Sequence, residues 1–211
     1  MFWGVYAGLV IGLLIAELRE NRLAQIILKP LAALGFVIIA YKFGALFSDY
    51  GRLVFVGLVF CAVGDVFLLS RARIVVFFKL GMLAFAIGHI LYIFAASEIL
   101  RAEMTPLFLI ATTLLGLGFG LIVFLKLKPN PPRDMVWAVG IYTVVISLML
   151  IRALQTNMTG SHLLILPAAI LFAVSDIFVA RDRFVAPTPK NAFLITPLYF
   201  GAQALFALSV V

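Results

Sequence analysis

Eight long apolar runs separated by short polar connections make up the chain, at about residues 3–18, 24–42, 53–70, 75–98, 105–126, 135–154, 162–180 and 191–210. A bilayer hydrocarbon core of roughly 30 Å takes about 20 helical residues, and the runs lack the alternation of polar and apolar positions that marks a membrane β-barrel. The pattern therefore predicts an all-α integral membrane protein of eight transmembrane helices. Proline-rich breakers such as "LKPNPPRD" after the fifth run and "RDRFVAPTPK" after the seventh end the helices within a few residues. Connections this short leave no room for an extramembrane domain, so residues 1–211 read as one membrane-embedded domain.

Composition agrees with that pattern: 65% of the residues are hydrophobic and 12% charged, with a mean hydropathy of +1.21, too apolar for a water-soluble domain of this length. The amino-terminal "MFWGVYAGLVIGLLIAELRE" has neither a basic leading segment nor a small-residue cleavage site and is read as a retained first span. The single cysteine, Cys61, leaves no intramolecular disulfide and no multi-cysteine metal site. In a soluble protein the net charge of +7 would suggest nucleic acid. Here the cations sit between apolar runs, where they set orientation, and no nucleic-acid partner is expected. Ten of them, Arg19, Arg22, Arg71, Arg73, Lys126, Lys128, Arg133, Arg181, Arg183 and Lys190, fall after the odd-numbered runs, against four, Lys42, Arg52, Arg101 and Arg152, on the other side. The positive-inside rule makes the ten-residue side cytoplasmic and places both termini on the non-cytoplasmic side. In a bacterium the host would be the plasma (inner) membrane.

Displacing the sequence by 111 residues lays Asp65 on Asp176, Phe67 on Phe178, Lys79 on Lys190 and Tyr92 on Gln203. This suggests a parallel four-plus-four internal repeat, in which both aspartates keep one depth and helices three and seven stand side by side.

Asp65 precedes Arg71 by six residues and Asp176 precedes Arg181 by five, which puts each roughly 8–9 Å of helix inside the cytoplasmic boundary. An ionisable group at such a depth costs about 2.5–3.5 kcal/mol on insertion scales, so it faces the bundle interior and has a partner or a function. The structural alternative is that the two aspartates cap helices or bridge to Lys29, Lys79, Arg71 or Arg181. Other polar side chains share the same half of the membrane: Glu17, Lys29, Lys79, Tyr142, Asn191, Tyr199 and Gln203. Together they suggest a wet cavity toward the cytoplasm, against which stand snorkelling for the two lysines and plain packing for the tyrosines.

Along the fourth run, Gly81, Phe85, Gly88, His89 and Tyr92 recur at helical spacing, placing two glycines and two hydrogen-bonding rings on one face. The glycines permit close helix approach. His89 lies near mid-membrane, as a site residue or a hydrogen-bonded core histidine, and His162 falls in the loop before the seventh run. Two histidines at different levels and one cysteine make no zinc site, so no metal or organic cofactor is expected. No phosphate loop, serine elbow or Cys/His pair is present in the sequence.

Five strings in order, "LKPL" (Leu28 to Leu31), "GDVFL" (Gly64 to Leu68), "GMLAFAIGHILYIF" (Gly81 to Phe94), "AVSDIFVARDRF" (Ala173 to Phe184) and "PLYFGAQALFALS" (Pro197 to Ser209), resemble the YhhN-like lysoplasmalogenase family of eight-span membrane proteins. The resemblance runs from about residue 28 onward. It implies hydrolysis of the vinyl ether of a lysoplasmalogen, a single-chain ether phospholipid, to a fatty aldehyde and a glycerophospho-ethanolamine or -choline, with Asp65 and Asp176 as the catalytic pair. The residue types suit that chemistry: a vinyl ether is opened by slow protonation of its β carbon, giving an oxocarbenium ion that water captures. A protonated carboxyl can supply the proton while an ionised one stabilises the cation and orients water, as carboxylate pairs do in glycosidases. Asp176 is assigned here as the acid and Asp65 as the anion. The lysophospholipid chain would lie among Phe, Leu and Gly side chains of the bundle, within membrane lipid, lined by His89, Tyr92, Tyr142, Asn191, Tyr199 and Gln203. The head group would sit near Lys29, Lys79, Arg183 and Lys190. Two other classes use intramembrane aspartates: a proton-coupled transporter of a lipid-like or small amphipathic substrate, and a non-catalytic lipid-binding protein.

Overall fold

The computed structural model describes residues 2–69, 75–127 and 131–211. Arg71, Arg73 and Lys128 of the charge count, and Ser70 at the end of the third run, lie outside the described residues. The described residues form eight α-helices: α1 (Phe2–Leu18), α2 (Arg22–Lys42), α3 (Asp49–Leu69), α4 (Val75–Glu98), α5 (Pro106–Leu127), α6 (Val136–Gln155), α7 (Ile165–Phe184) and α8 (Ala192–Leu208). Short 3-10 turns at Ala45–Phe47, Gly160–Leu164 and Pro189–Asn191 complete the connections. Seven of the helices, α2 to α8, are long and apolar enough to cross a membrane. The chain is an integral, multi-pass membrane protein. Many large aliphatic and aromatic side chains are exposed, among them Leu114, Leu121, Ile141 and Phe193, as a surface solvated by lipid requires.

Caps move the boundaries beyond the apolar runs. The Ser48 hydroxyl accepts the Gly51 amide at 3.0 Å, so α3 begins at Asp49, four residues before the hydropathy rises. Asn21 caps α2 in the same way, its Oδ1 accepting from the Ala24 amide at 3.2 Å. At the other end, α7 runs on to Phe184 through the polar "ARDRF".

The helices pack most extensively in consecutive pairs, above all α3 with α4 and α7 with α8. The α3–α4 seam is closed by glycine: a Cβ on Gly88 would stand 2.7 Å from the Cys61 sulfur and 3.0 Å from the Gly57 carbonyl oxygen. Without a hydrophobic drive between helices in lipid, such close backbone approach is what binds them. α1 is held across the bundle by the Tyr6 hydroxyl, which donates to the Phe200 carbonyl at 2.7 Å. Phe36, Phe172, Phe200 and Phe206 fill the centre and are fully buried.

The expectation that helices three and seven stand side by side is corrected. α3 lies between α2 and α4, and α7 between α6 and α8. Between them stand three buried rings, Phe85 of α4, Phe172 of α7 and Tyr199 of α8, in edge-to-face contacts with centroids 5.4–6.3 Å apart. Each acidic helix packs mainly against its sequence neighbours, and the two contribute to the walls of one cavity instead of forming a seam.

Candidate active site

Each aspartate is placed by a tyrosine from another helix. Asp65, one turn before the end of α3, is 2% exposed, and its Oδ2 accepts a 2.6 Å hydrogen bond from the Tyr199 hydroxyl of α8. Asp176, half-buried in the middle of α7, accepts at Oδ2 from the Tyr142 hydroxyl of α6 at 2.9 Å. Among the described residues neither carboxyl forms an ion pair. The structural alternative, in which they bridge to Lys29, Lys79 or Arg181, therefore does not describe them, while Arg71 lies outside the described residues.

Both carboxyls line one cavity of about 110 Å³, well above the roughly 10–15 Å³ that a single water needs. Its wall is otherwise largely apolar, with Met82 and Phe85 of α4, Phe119 and Val123 of α5, and Ile146 of α6, and it is interrupted by Lys29, Tyr142, Thr143 and Tyr199. Lys29 is the one cation among the described residues that lines the cavity with the two carboxyls. Lys29 is itself held by Glu17 at 3.4 Å, and the other Glu17 oxygen accepts from the Thr196 hydroxyl. Lys29 thus turns into the bundle and does not snorkel.

The remaining anticipated residues separate by location. Arg183 stands at the mouth, its guanidinium 4.6 Å above the Phe78 ring, in a second cavity that also contains Lys29. Lys79 points outward to Asp134 at 2.8 Å; its ammonium holds the Asp134 carboxyl below the ordinary carboxylate range. Lys190 is exposed in the turn before α8. Asn191 is buried in that turn, donating from Nδ2 to Asp182 Oδ1 at 2.6 Å and to the Ala186 carbonyl at 2.8 Å, so it braces the α7–α8 connection. His89, Tyr92 and Gln203 lie behind the cavity wall. The Tyr92 hydroxyl donates to Gln203 Oε1 at 2.8 Å, and the His89 ring is wedged against Phe172 with centroids 4.4 Å apart. The physical reason is azimuth: these three share a depth with the cavity or lie below it, but their helix faces turn toward packed neighbours. His162 meets Tyr50 edge to face at the opposite end of α3. Among the described residues no group of three His, Cys, Asp or Glu side chains could hold a metal ion.

Phe172 and the α5 wall were missed by sequence reasoning, because apolar residues in a membrane span carry no mark of which neighbour they meet. A charge test follows for the lysines. Lys79→Ala leaves turnover within about twofold of the parent, as expected for an exposed pair, and this is checked by steady-state rates in detergent micelles. A tenfold loss would return Lys79 to the site.

The arrangement is that of a polytopic membrane protein with two tyrosine-held carboxyls facing an apolar hollow. The YhhN family profile matches residues 24–210, and the chain belongs to the YhhN family. It is 35% identical over 189 residues to a bovine (Bos taurus) protein named lysoplasmalogenase TMEM86A, spanning 86% of this chain and 75% of that one. The human (Homo sapiens) protein of the same name is 32% identical over the same shares. Human lysoplasmalogenase TMEM86B is 32% identical over 162 residues, 77% of this chain and 65% of its own. No solved structure matches the chain.

Proposed function

We propose that the protein is a lysoplasmalogenase, hydrolysing the vinyl ether of a 1-alkenyl lysophospholipid to a fatty aldehyde and a glycerophospho-ethanolamine or -choline. The observation that carries this reading is the pair of carboxyls, Asp65 and Asp176, lining one largely apolar cavity, each held by a phenol. The names of the relatives, which cover most of the chain, supply the substrate class.

In this mechanism the Asp176 carboxyl gives its proton to the β carbon of the vinyl ether, and the positive charge settles on the ether oxygen and its α carbon. Asp65, assigned the ionised role, faces that oxocarbenium ion and lowers its energy by charge complementarity in a site with little water. A water held between the carboxyls adds to the α carbon and passes a proton to Asp176, restoring it. The hemiacetal then collapses, the hydroxyl proton leaving as the glycerol oxygen gains one, to release aldehyde and alcohol. Lys29 is the one cation among the described residues lining the cavity, which suits a pair that carries one negative charge.

The same reading includes a crossing by all eight helices, α1 among them at 17 residues or about 26 Å. With both termini outside, the aspartates lie toward the cytoplasm. The preference of the chain for consecutive helix pairs supports a four-plus-four duplication, although the tyrosines that hold the aspartates, on α6 and α8, are not equivalent in it.

The test is direct. Purified protein supplied with a 1-alkenyl lysophosphatidylethanolamine releases free fatty aldehyde in equal amount to glycerophosphoethanolamine, without added metal. Uptake of a lysolipid into proteoliposomes with no aldehyde formed would replace the hydrolase by a carrier.

A further inference from the structure

The cavity that holds the aspartates ends at Lys29, and a second one begins there. This second cavity, about 490 Å³, lies between the end of α1, the start of α2 and the α7–α8 connection. Lys29, Leu68, Phe78, Val179 and Ile195 wall both. Their linings differ in kind: beyond Lys29 the second carries Glu17, Glu20, Asp182, Arg183 and Thr188. One chamber is apolar and acidic at its reactive point; the other is charged with both signs.

Most of those charges are already committed. Glu17 serves Lys29 and Thr196. Asp182 Oδ1 takes the Thr188 amide at 3.1 Å and the Asn191 side chain at 2.6 Å, closing the turn. Arg183 is steadied over Phe78 but has no carboxylate partner. Glu20 likewise has no side-chain hydrogen bond or ion pair among the described residues. It is also the residue whose backbone is out of the ordinary: φ is +54°, the one positive value among described non-glycine residues. It follows the last turn of α1, where the Asn21 amide reaches back to the Ala16 carbonyl at 2.8 Å. Glycine is the usual occupant of such a helix-ending position, because it has no Cβ to clash. A glutamate there bears a conformational penalty and leaves an uncommitted carboxylate on the cavity wall.

We propose that the second cavity binds the zwitterionic head group of the lysolipid, with Lys29 and Arg183 on its phosphate and Glu20 on its ammonium. The lipid identity rests on the hydrolase reading above; the charge complementarity does not. Three glycerol carbons separate the phosphate from the ether oxygen, so a phosphate at the shared Lys29 wall brings the vinyl bond into the chamber of Asp65. Glu20 and Arg183 are then specificity residues outside the reacting centre.

The experiment measures binding with ligands that cannot be turned over, saturated 1-O-alkyl lysophospholipids, one bearing phosphoethanolamine and one bearing phosphate alone. The parent protein in detergent binds the ethanolamine ligand more tightly. Glu20→Gln lowers that preference by about two- to tenfold, the range of one typical net hydrogen bond. Arg183→Gln weakens both ligands alike. Glu20→Gly loses the preference as Gln does, yet raises Tm, because the strained position is relieved. An unchanged ratio of the two affinities in Glu20→Gln, or equal binding of both ligands by the parent, overturns the head-group site. An intact ratio effect in a protein that releases no aldehyde from the vinyl substrate leaves the site standing and removes the hydrolase.

Discussion

Asp176→Asn lowers the rate of aldehyde release by between about 100-fold and 10,000-fold, the range expected when a positioned general acid is removed. Asparagine preserves the volume of the side chain, and its carbonyl oxygen can still accept from Tyr142, which stands 2.9 Å from the native carboxyl. The fold should therefore persist while the transferable proton is gone. Asp65→Asn loses about 100-fold or more, because the oxocarbenium ion is left without its counter-charge in a site poor in water. Tyr142→Phe and Tyr199→Phe cost less, about tenfold, since each removes one hydrogen bond that orients a carboxyl and leaves the carboxyl in place. Initial rates on a vinyl-ether lysolipid, with helicity and monodispersity as folding controls, decide the matter. Full activity in either aspartate variant ends the paired-carboxyl mechanism.

Gly88→Val separates α3 from α4 and lowers thermal stability in detergent by about 2–12 °C. The range combines roughly 1–3 kcal/mol for overpacking with about 2–4 °C per kcal/mol in a chain of this size. The first methyl-bearing carbon would stand 2.7 Å from the Cys61 sulfur and 3.0 Å from a backbone oxygen of Gly57. A side chain can turn aside; the Gly57 carbonyl belongs to the α3 helix and moves only if the helix moves. Asp65 rides on α3 and Phe85 on α4, so activity falls with stability. Gly118→Ala is the control, because a Cβ there meets nothing within 4 Å. It should be neutral or slightly stabilising, by less than about 1 kcal/mol, as helix propensity favours alanine. Equal melting temperatures for the two variants would mean that the glycine seam does not hold the bundle together.

Hydropathy alone located the helices, and their order and approximate ends followed from breakers and cations. The start of α3 was displaced because Ser48 and Asp49 are polar: the cap that begins a helix is by its chemistry the residue that ends a hydropathy peak. Depth was legible for the same reason as the spans. Counting residues from Arg71 and Arg181 at about 1.5 Å each gives Asp65 and Asp176 one expected level, and the structure shows both lining one cavity. Lys29 and Lys79 were indistinguishable at that stage, both lying just inside a helix end. Azimuth divides them, Lys29 turning in toward Glu17 and Lys79 out toward Asp134.

What the amino-acid order determined by itself was a bundle of lipid-soluble helices with two acids at one depth, because burial in hydrocarbon depends on each segment's own composition and length. Which side chains meet was decided by the tertiary structure. Tyr199 reaches Asp65 from 134 positions away, and the pairing exists because glycine seams and aromatic wedges set each helix's rotation about its axis. That rotation turns Asp65, Asp176 and Lys29 toward one hollow and His89, Tyr92 and Gln203 away from it, and a helix's own residues do not encode it.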